Sequence, residues 1–319
     1  MATVGYHASH EQHPPSRLLA AVVEAEQAGF AAAMCSDHFH PWSEQQGQSG
    51  FAWSWLGGAL QATQLPMGVV NAPGQRYHPA IIAQAAATLA EMYPDRFWLA
   101  VGSGQDLNEH ITGERWPRKA DRNQRLLESV EVIRALWRGE TVTHHGAVVV
   151  EDAHLYTRPE RSPRLLGAAL TPRTAEWIAS WADGLITVAK PHEELRGIVE
   201  AFRAGGGQDK PMALQVQLSY ADSEQGALQA AHEQWGTNIL SSRVLATLRM
   251  PDDFAAAAEF VQPDDLRGPV NVSADLSRHA AWLAEYIELG FDELYLHNIH
   301  RDQERFVNDF GASVLPEVT

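Results

Sequence analysis

Short apolar runs alternate with stretches of helical periodicity along most of the chain. Val4 to Ser9, Ala31 to Asp37, Met67 to Ala72, Phe97 to Ser103, Leu165 to Ala169, Gly184 to Val188, Leu214 to Leu218 and Glu293 to His297 read as buried strands. The segments between them read as helices. One follows Pro14-Pro15 and carries Leu18, Leu19, Val22 and Val23 on a single face; a Trp-rich one runs through Trp53, Trp55 and Leu60. Others are Pro79 to Tyr93, Arg122 to Trp137, Thr171 to Ala182, His192 to Ala204 and Leu276 to Leu289, with a closing helix through Phe306. Two departures break the rhythm. Thr141-Val142-Thr143 and Val148-Val149-Val150, joined by His144-His145-Gly146-Ala147, predict a polar hairpin. From about Ser223 to Asp275 lies an acidic, helical insertion with no clear strand.

Eight strands alternating with helices predict an α/β protein, a (β/α)₈ TIM barrel forming a single domain over residues 1–319, with an open doubly wound sheet as the alternative. The placement of polar residues favours the barrel. Ser9-His10, Asp37-His38, Asn71, Ser103-Gly104, Lys190 and His297-Asn298 all fall at the C-terminal ends of different strands. A closed barrel gathers such residues on one rim, where barrel enzymes place their chemistry.

Composition changes this picture mainly by exclusion. The 319 residues, 45% hydrophobic and 20% charged, are those of an ordinary globular protein. A net charge of -16 argues against a nucleic-acid partner. Apolar runs fall short of the roughly 20 residues of a membrane span, and the N-terminus lacks a signal peptide's layout, so a cytoplasmic, membrane-free protein is expected. The single cysteine, Cys35, fits a reducing compartment, and its apolar strand suits an inert buried thiol better than a nucleophile.

The densest chemistry is Asp37-His38-Phe39-His40-Pro41-Trp42, at the end of the second strand. An alternating His38 and His40 could ligate a metal with His7, His297 and Asp302, or could line a pocket for a flat aromatic ligand. His13, His144 and His145 are expected at the surface, and Trp53, Trp55, Trp137, Trp177 and Trp181 between helices. Gly102-Ser103-Gly104 could bring backbone close to a ligand or form a plain turn; it lacks the third glycine of a dinucleotide fingerprint and is too short for a serine nucleophile elbow. Gly167, Ala168 and Ala169, followed by Thr171-Pro172, could present free N–H groups to a phosphate or simply cap a helix.

These pieces resemble the luciferase-like superfamily, and within it the coenzyme F420-dependent glucose-6-phosphate dehydrogenase branch. The resemblance runs nearly end to end, through Gly5-Tyr6-His7-Ala8-Ser9, Ser36 to Trp42, Arg76 to Gln84, Gly102 to Glu109 and Asp302 to Phe306. It implies a (β/α)₈ barrel, a homodimer, and a deazaflavin, coenzyme F420, held in the rim, or FMN in a flavin-using subgroup. By the same resemblance Asp37 contacts the ring, and His38 and Trp42 flank the substrate. Val70 and Asn71 back the ring through a bulge or cis peptide. Ser103, Gly104 and Asn108 hold the cofactor, with its phosphate on Gly167, Ala168 and Ala169. Lys190 grips a sugar phosphate. Where relatives carry a glutamate, this chain has Gln105, whose amide cannot transfer a proton near neutral pH, so proton transfer falls to His38 with Glu109 or His40.

The expected function is therefore F420-dependent hydride exchange with a small polar alcohol, carbonyl or imine, possibly a sugar phosphate. The alternatives are an FMN-dependent monooxygenase or reductase, a metal-dependent barrel hydrolase using His38 and His40, and a non-catalytic flavin-binding protein.

Overall fold

The computed structural model describes residues 2–318. Eight parallel strands close into a barrel: β1 Thr3–Ala8, β2 Ala32–Ser36, β3 Met67–Asn71, β4 Phe97–Val101, β5 Arg164–Ala168, β6 Gly184–Val188, β7 Met212–Ser219 and β8 Glu293–Asn298. Each pairs in parallel with the next, β8 returns to β1, and the β6–β7 and β7–β8 pairings complete the closure. The alternative open sheet is thereby excluded.

The strands form where the sequence places apolar and β-branched residues on both faces, because a barrel strand meets helices outside and side chains inside. The outward faces and the helices share one large core, which takes in Leu18, Val22, Leu56, Ile82, Ile133 and Ile198. A second, smaller cluster fills the barrel itself. Its widest members, Trp98 and Tyr295, meet with ring centroids 5.4 Å apart. Two glycines make room for them: a Cβ on Gly68 would fall 2.0 Å from the Trp98 ring, and one on Gly5 would fall 2.6 Å from that of Tyr295. The pair plugs the barrel below the level of the rim.

The predicted hairpin is present as antiparallel Val142–His145 and Val149–Ala153. It is fastened to the long helix Lys119–Arg138 by Glu128, whose Oε2 lies 2.8 Å from His144 Nε2 and accepts from the Val148 N–H at 3.2 Å. Three expectations need correction. The insertion is not strand-free, because Asn271–Val272 pairs alongside β7; two residues are too few to leave a periodic trace. Val70–Asn71 forms neither a bulge nor a cis peptide, since β3 runs against β4 in unbroken register and no cis bond occurs among the described residues. His13 is buried, because the residues after β1 fold back in a turn in which Gln12 and His13 both donate to the Ser9 carbonyl.

Candidate active site

The C-terminal rim opens into a cavity of about 1830 Å³, larger than the roughly 300–1,000 Å³ of an ordinary small-molecule pocket. The residues that line it come from nearly every strand end.

Its reactive corner is set by the pairing of β1 with β2. Ala8 pairs with Cys35, so the residues three positions on, Glu11 and His38, leave the barrel side by side. His38 Nδ1 lies 2.8 Å from Glu11 Oε1, a close contact that falls short of a well-aligned hydrogen bond. A lone pair on Nδ1 would face the carboxylate repulsively, so Nδ1 carries the proton and Nε2 is the free acceptor. The other oxygen of Glu11 accepts from Ser9 Oγ at 2.9 Å and Ser36 Oγ at 2.7 Å. Burial alone would raise the Glu11 carboxyl, but His38 and the Ser36 hydroxyl hold it well below the usual carboxylate range. Trp42 meets the His38 ring edge-on at 5.2 Å and Phe254 at 5.3 Å, so the insertion packs directly behind this corner.

Beside it Asp37, buried at the end of β2, accepts from Asn71 Nδ2 at 2.6 Å and Tyr77 OH at 3.1 Å. Arg76 donates to the Asp37 carbonyl at 2.8 Å and places its guanidinium between two acids, 3.6 Å from Asp37 and 3.7 Å from Glu109. Burial pushes the Glu109 carboxyl up; Arg76 and its backbone N–H, 2.7 Å away, restrain the rise. Asn71 Oδ1 is buried in the same wall with no hydrogen-bond partner.

Small residues continue the wall next to this corner. Gly102, Ser103 and Gly104 continue β4, with Gly104 at φ 76°, and Ala168 and Ala169 end β5. Apolar Met34, Val70, Ala168 and Ile186 form part of the cavity floor. Although the molecule is acidic, cations gather at the mouth: Lys119 donates to Ser103 Oγ at 2.7 Å, and Arg122, Arg173 and Lys190 line the same side. Lys190 is paired with Glu194 at 3.2 Å. The helix that starts at Pro172 is capped by Thr171, whose hydroxyl accepts from the Thr174 N–H at 3.3 Å.

Most of the predicted site residues converge here: Asp37, His38, Trp42, Val70, Asn71, Ser103, Gly104, Gln105, Asn108, Glu109, Ala168, Ala169 and Lys190 all line the cavity. Two are placed otherwise than expected. His40 points away from the cavity, stacked on His110 at 5.1 Å with Nδ1 3.1 Å from the Leu107 carbonyl. β2 ends at Ser36, so the alternation that would have set His38 and His40 on one side no longer applies. Gly167 lies inside β5, and its missing Cβ makes room for Ile178 of the following helix rather than for a ligand. Asn108 reaches the cavity, but its Oδ1 is engaged by the Phe39 N–H at 2.8 Å, bracing the loop that carries His38. Trp177, expected between helices, lines the cavity as well. The metal alternative loses its basis, since no three His, Cys, Asp or Glu among the described residues are grouped to hold an ion. Cys35 is buried as expected, and burial pushes its thiol well up. Sequence reasoning missed Glu11 and Arg76; the strand register that places Glu11 beside His38 would have found the first.

A parallel barrel with its acids, histidines and open cavity on the C-terminal rim defines a barrel enzyme of the cofactor-binding kind. The chain belongs to the luciferase-like monooxygenase family, whose family model matches residues 1–293. It is 34% identical to an F420-dependent glucose-6-phosphate dehydrogenase of Microbacterium testaceum, over 98% of this chain and 96% of that protein. It is 33% identical to the enzyme of the same name from Beutenbergia cavernae, over 100% and 98%. Among solved structures, an F420-dependent secondary alcohol dehydrogenase in complex with an F420-acetone adduct superposes with a TM-score of 0.93 at 29% identity, covering 100% of this chain and 99% of that one. A coenzyme F420 dependent tetrahydromethanopterin reductase from Methanopyrus kandleri shares the fold, with a TM-score of 0.79 at 18% identity over 100% and 99%.

Proposed function

We propose that this chain is an F420-dependent oxidoreductase that interconverts a small polar alcohol and its carbonyl by hydride transfer. The observation that carries the reading is the Glu11–His38 pair on the cavity rim beside Trp42. The relatives' F420 dependence supports the choice of cofactor.

The cavity suits a flat ring with an anionic tail. Its floor is partly apolar, Asn71 Oδ1 offers an unmet acceptor, and the small residues 102–104 and 168–169 lead toward the cations Lys119, Arg122 and Arg173. When bound, the deazaflavin supplies the carbon that accepts or returns a hydride. The chain's own residues do the rest. His38 Nε2 takes the proton of the substrate hydroxyl, and Glu11 favours the imidazolium that forms. Trp42 would wall the reacting carbon, and Asp37, fixed by Asn71, Tyr77 and Arg76, would help to hold the ring. Gln105 lines the cavity as a neutral amide, which leaves proton transfer to His38.

Fluorescence titration of purified protein with F420 and with FMN tests the cofactor. Tighter binding of F420 is expected, and tighter binding of FMN would move the chain to flavin chemistry.

A homodimer and a cytoplasmic setting belong to the same proposal. Ile81 and Met92 on the helix Pro79–Met92, with nearby Phe51, expose apolar surface that a second copy would cover. Light scattering should give twice the chain mass, and a monomer at micromolar concentration would refute the dimer. Cys35 suits a reducing compartment.

A further inference from the structure

One row of cavity residues has no part in the chemistry above. Tyr6 of β1 pairs with Leu296 of β8, which sets His7 beside His297, and His297 pairs directly with Gln217 of β7. The three thus stand level on adjacent strands, all buried and all lining the cavity.

Hydrogen bonds behind the row fix the state of its middle member. Gln12 donates from Nε2 to the Ile299 carbonyl at 2.9 Å and to Gln234 Oε1 at 3.2 Å, so its Oε1 is the acceptor. His297 therefore donates to it from Nε2, at 2.6 Å, and its Nδ1 accepts from Gln215 Nε2 at 3.4 Å. His297 is satisfied. His7, its ring tilted against that of His297 with centroids 4.5 Å apart, is not: both its ring nitrogens are buried without a partner, and so is Gln217 Oε1.

Unmet polar atoms on a cavity wall are costly unless something in the cavity answers them. Burial pushes His7 down to about 4, so at neutral pH it is uncharged and offers one donor and one acceptor. Gln217 adds an acceptor. That set matches hydroxyl groups, each of which donates and accepts. It does not match a carboxylate or phosphate, for which the row carries no cation.

We propose that His7 and Gln217 form a second polar subsite that recognises a hydroxyl other than the reacting one, so that the substrate class is a polyhydroxylated alcohol rather than a monofunctional one. This rests on the reading of the site as an alcohol oxidoreductase. His7 and Gln217 are specificity-determining residues here, with no part in the proton transfer assigned to His38.

The test compares butane-2,3-diol with butan-2-ol, which share a carbon skeleton and differ by one hydroxyl, in F420-loaded wild type, His7→Phe and Gln217→Met. Phenylalanine retains the ring contact with His297, and methionine retains the length of glutamine. Wild type is expected to favour the diol by about tenfold or more in kcat/KM, and either variant to lose most of that preference while oxidising butan-2-ol within about twofold of wild type. F420 affinity, read by fluorescence in each variant, should be unchanged.

Equal wild-type turnover of the two alcohols, or a parallel fall on both in the variants, would overturn the subsite. A selective loss of F420 affinity in the variants would overturn it too, by assigning the row to the cofactor ring. Protein that fails to bind F420, or that binds it and oxidises neither alcohol, would bring down the underlying oxidoreductase reading instead, and the subsite with it.

Discussion

The Glu11→Gln variant should oxidise its alcohol about 10²- to 10⁴-fold more slowly than wild type while binding F420 equally well, the loss expected when a general base is disabled. The carboxylate is buried, holds Ser9 and Ser36 through one oxygen, and presents the other to His38 Nδ1 at 2.8 Å. Glutamine keeps this shape but removes the charge. If its amide nitrogen faces His38, the imidazole is driven to the tautomer with the proton on Nε2, which cannot take another from the substrate. Steady-state kcat, with circular dichroism as the control for folding, reads the effect. His38→Ala should lose at least as much. A Glu11→Gln enzyme with wild-type kcat would show that proton transfer does not run through this pair.

Acid should unfold the protein in the window between about pH 6.5 and 4. Burial pushes His7, His13 and His279 down to about 4 each, and pushes His297 well below its ordinary value. In the unfolded chain each takes up a proton near pH 6.5. The sign follows directly. Above that pH both states are neutral and these groups leave stability untouched. Below it the unfolded state binds protons that the folded state refuses, and stability falls until about pH 4, by about 3 kcal/mol for each of His7, His13 and His279. Several such groups together rival the 5–15 kcal/mol that typically holds a domain folded. Glu128 extends the trend: burial would raise its carboxyl, but Gln124, His144 and the Val148 N–H override that and hold it at about 2, so its contribution, present above about 4.5, is lost as the pH falls further. Urea unfolding from pH 7.5 to 4 should show stability dropping with a slope of about three to four protons near pH 5. A stability flat to pH 5 would mean that these histidines are protonated in the folded protein.

Much of the fold could be read from the chain because a barrel strand leaves a strong mark: an apolar run that stops where polar residues begin. Asp37, Asn71, Ser103 and Lys190 were found by that rule, and each lines the cavity. What it could not supply was the direction of side chains beyond the strand end. His40 illustrates this, because regular alternation ends at Ser36 and His40 packs on His110 instead. Gly167 illustrates the converse, a small residue whose purpose is to admit Ile178 of its own helix. Glu11 was overlooked because nothing in the linear order ties it to His38; only the lateral pairing of Ala8 with Cys35 does. The strand Asn271–Val272 and the burial of His13 depend on contacts with distant residues, which no local pattern records.

The plug of Trp98 and Tyr295 has a kinetic consequence. The two rings fill the barrel interior beneath the cavity, which opens at the rim. Two reactants that occupy it together are then expected to share that opening, the more deeply seated one arriving first and departing last. Order of addition is in this way written into the packing of two aromatic rings against two glycines, far from any group that touches the chemistry.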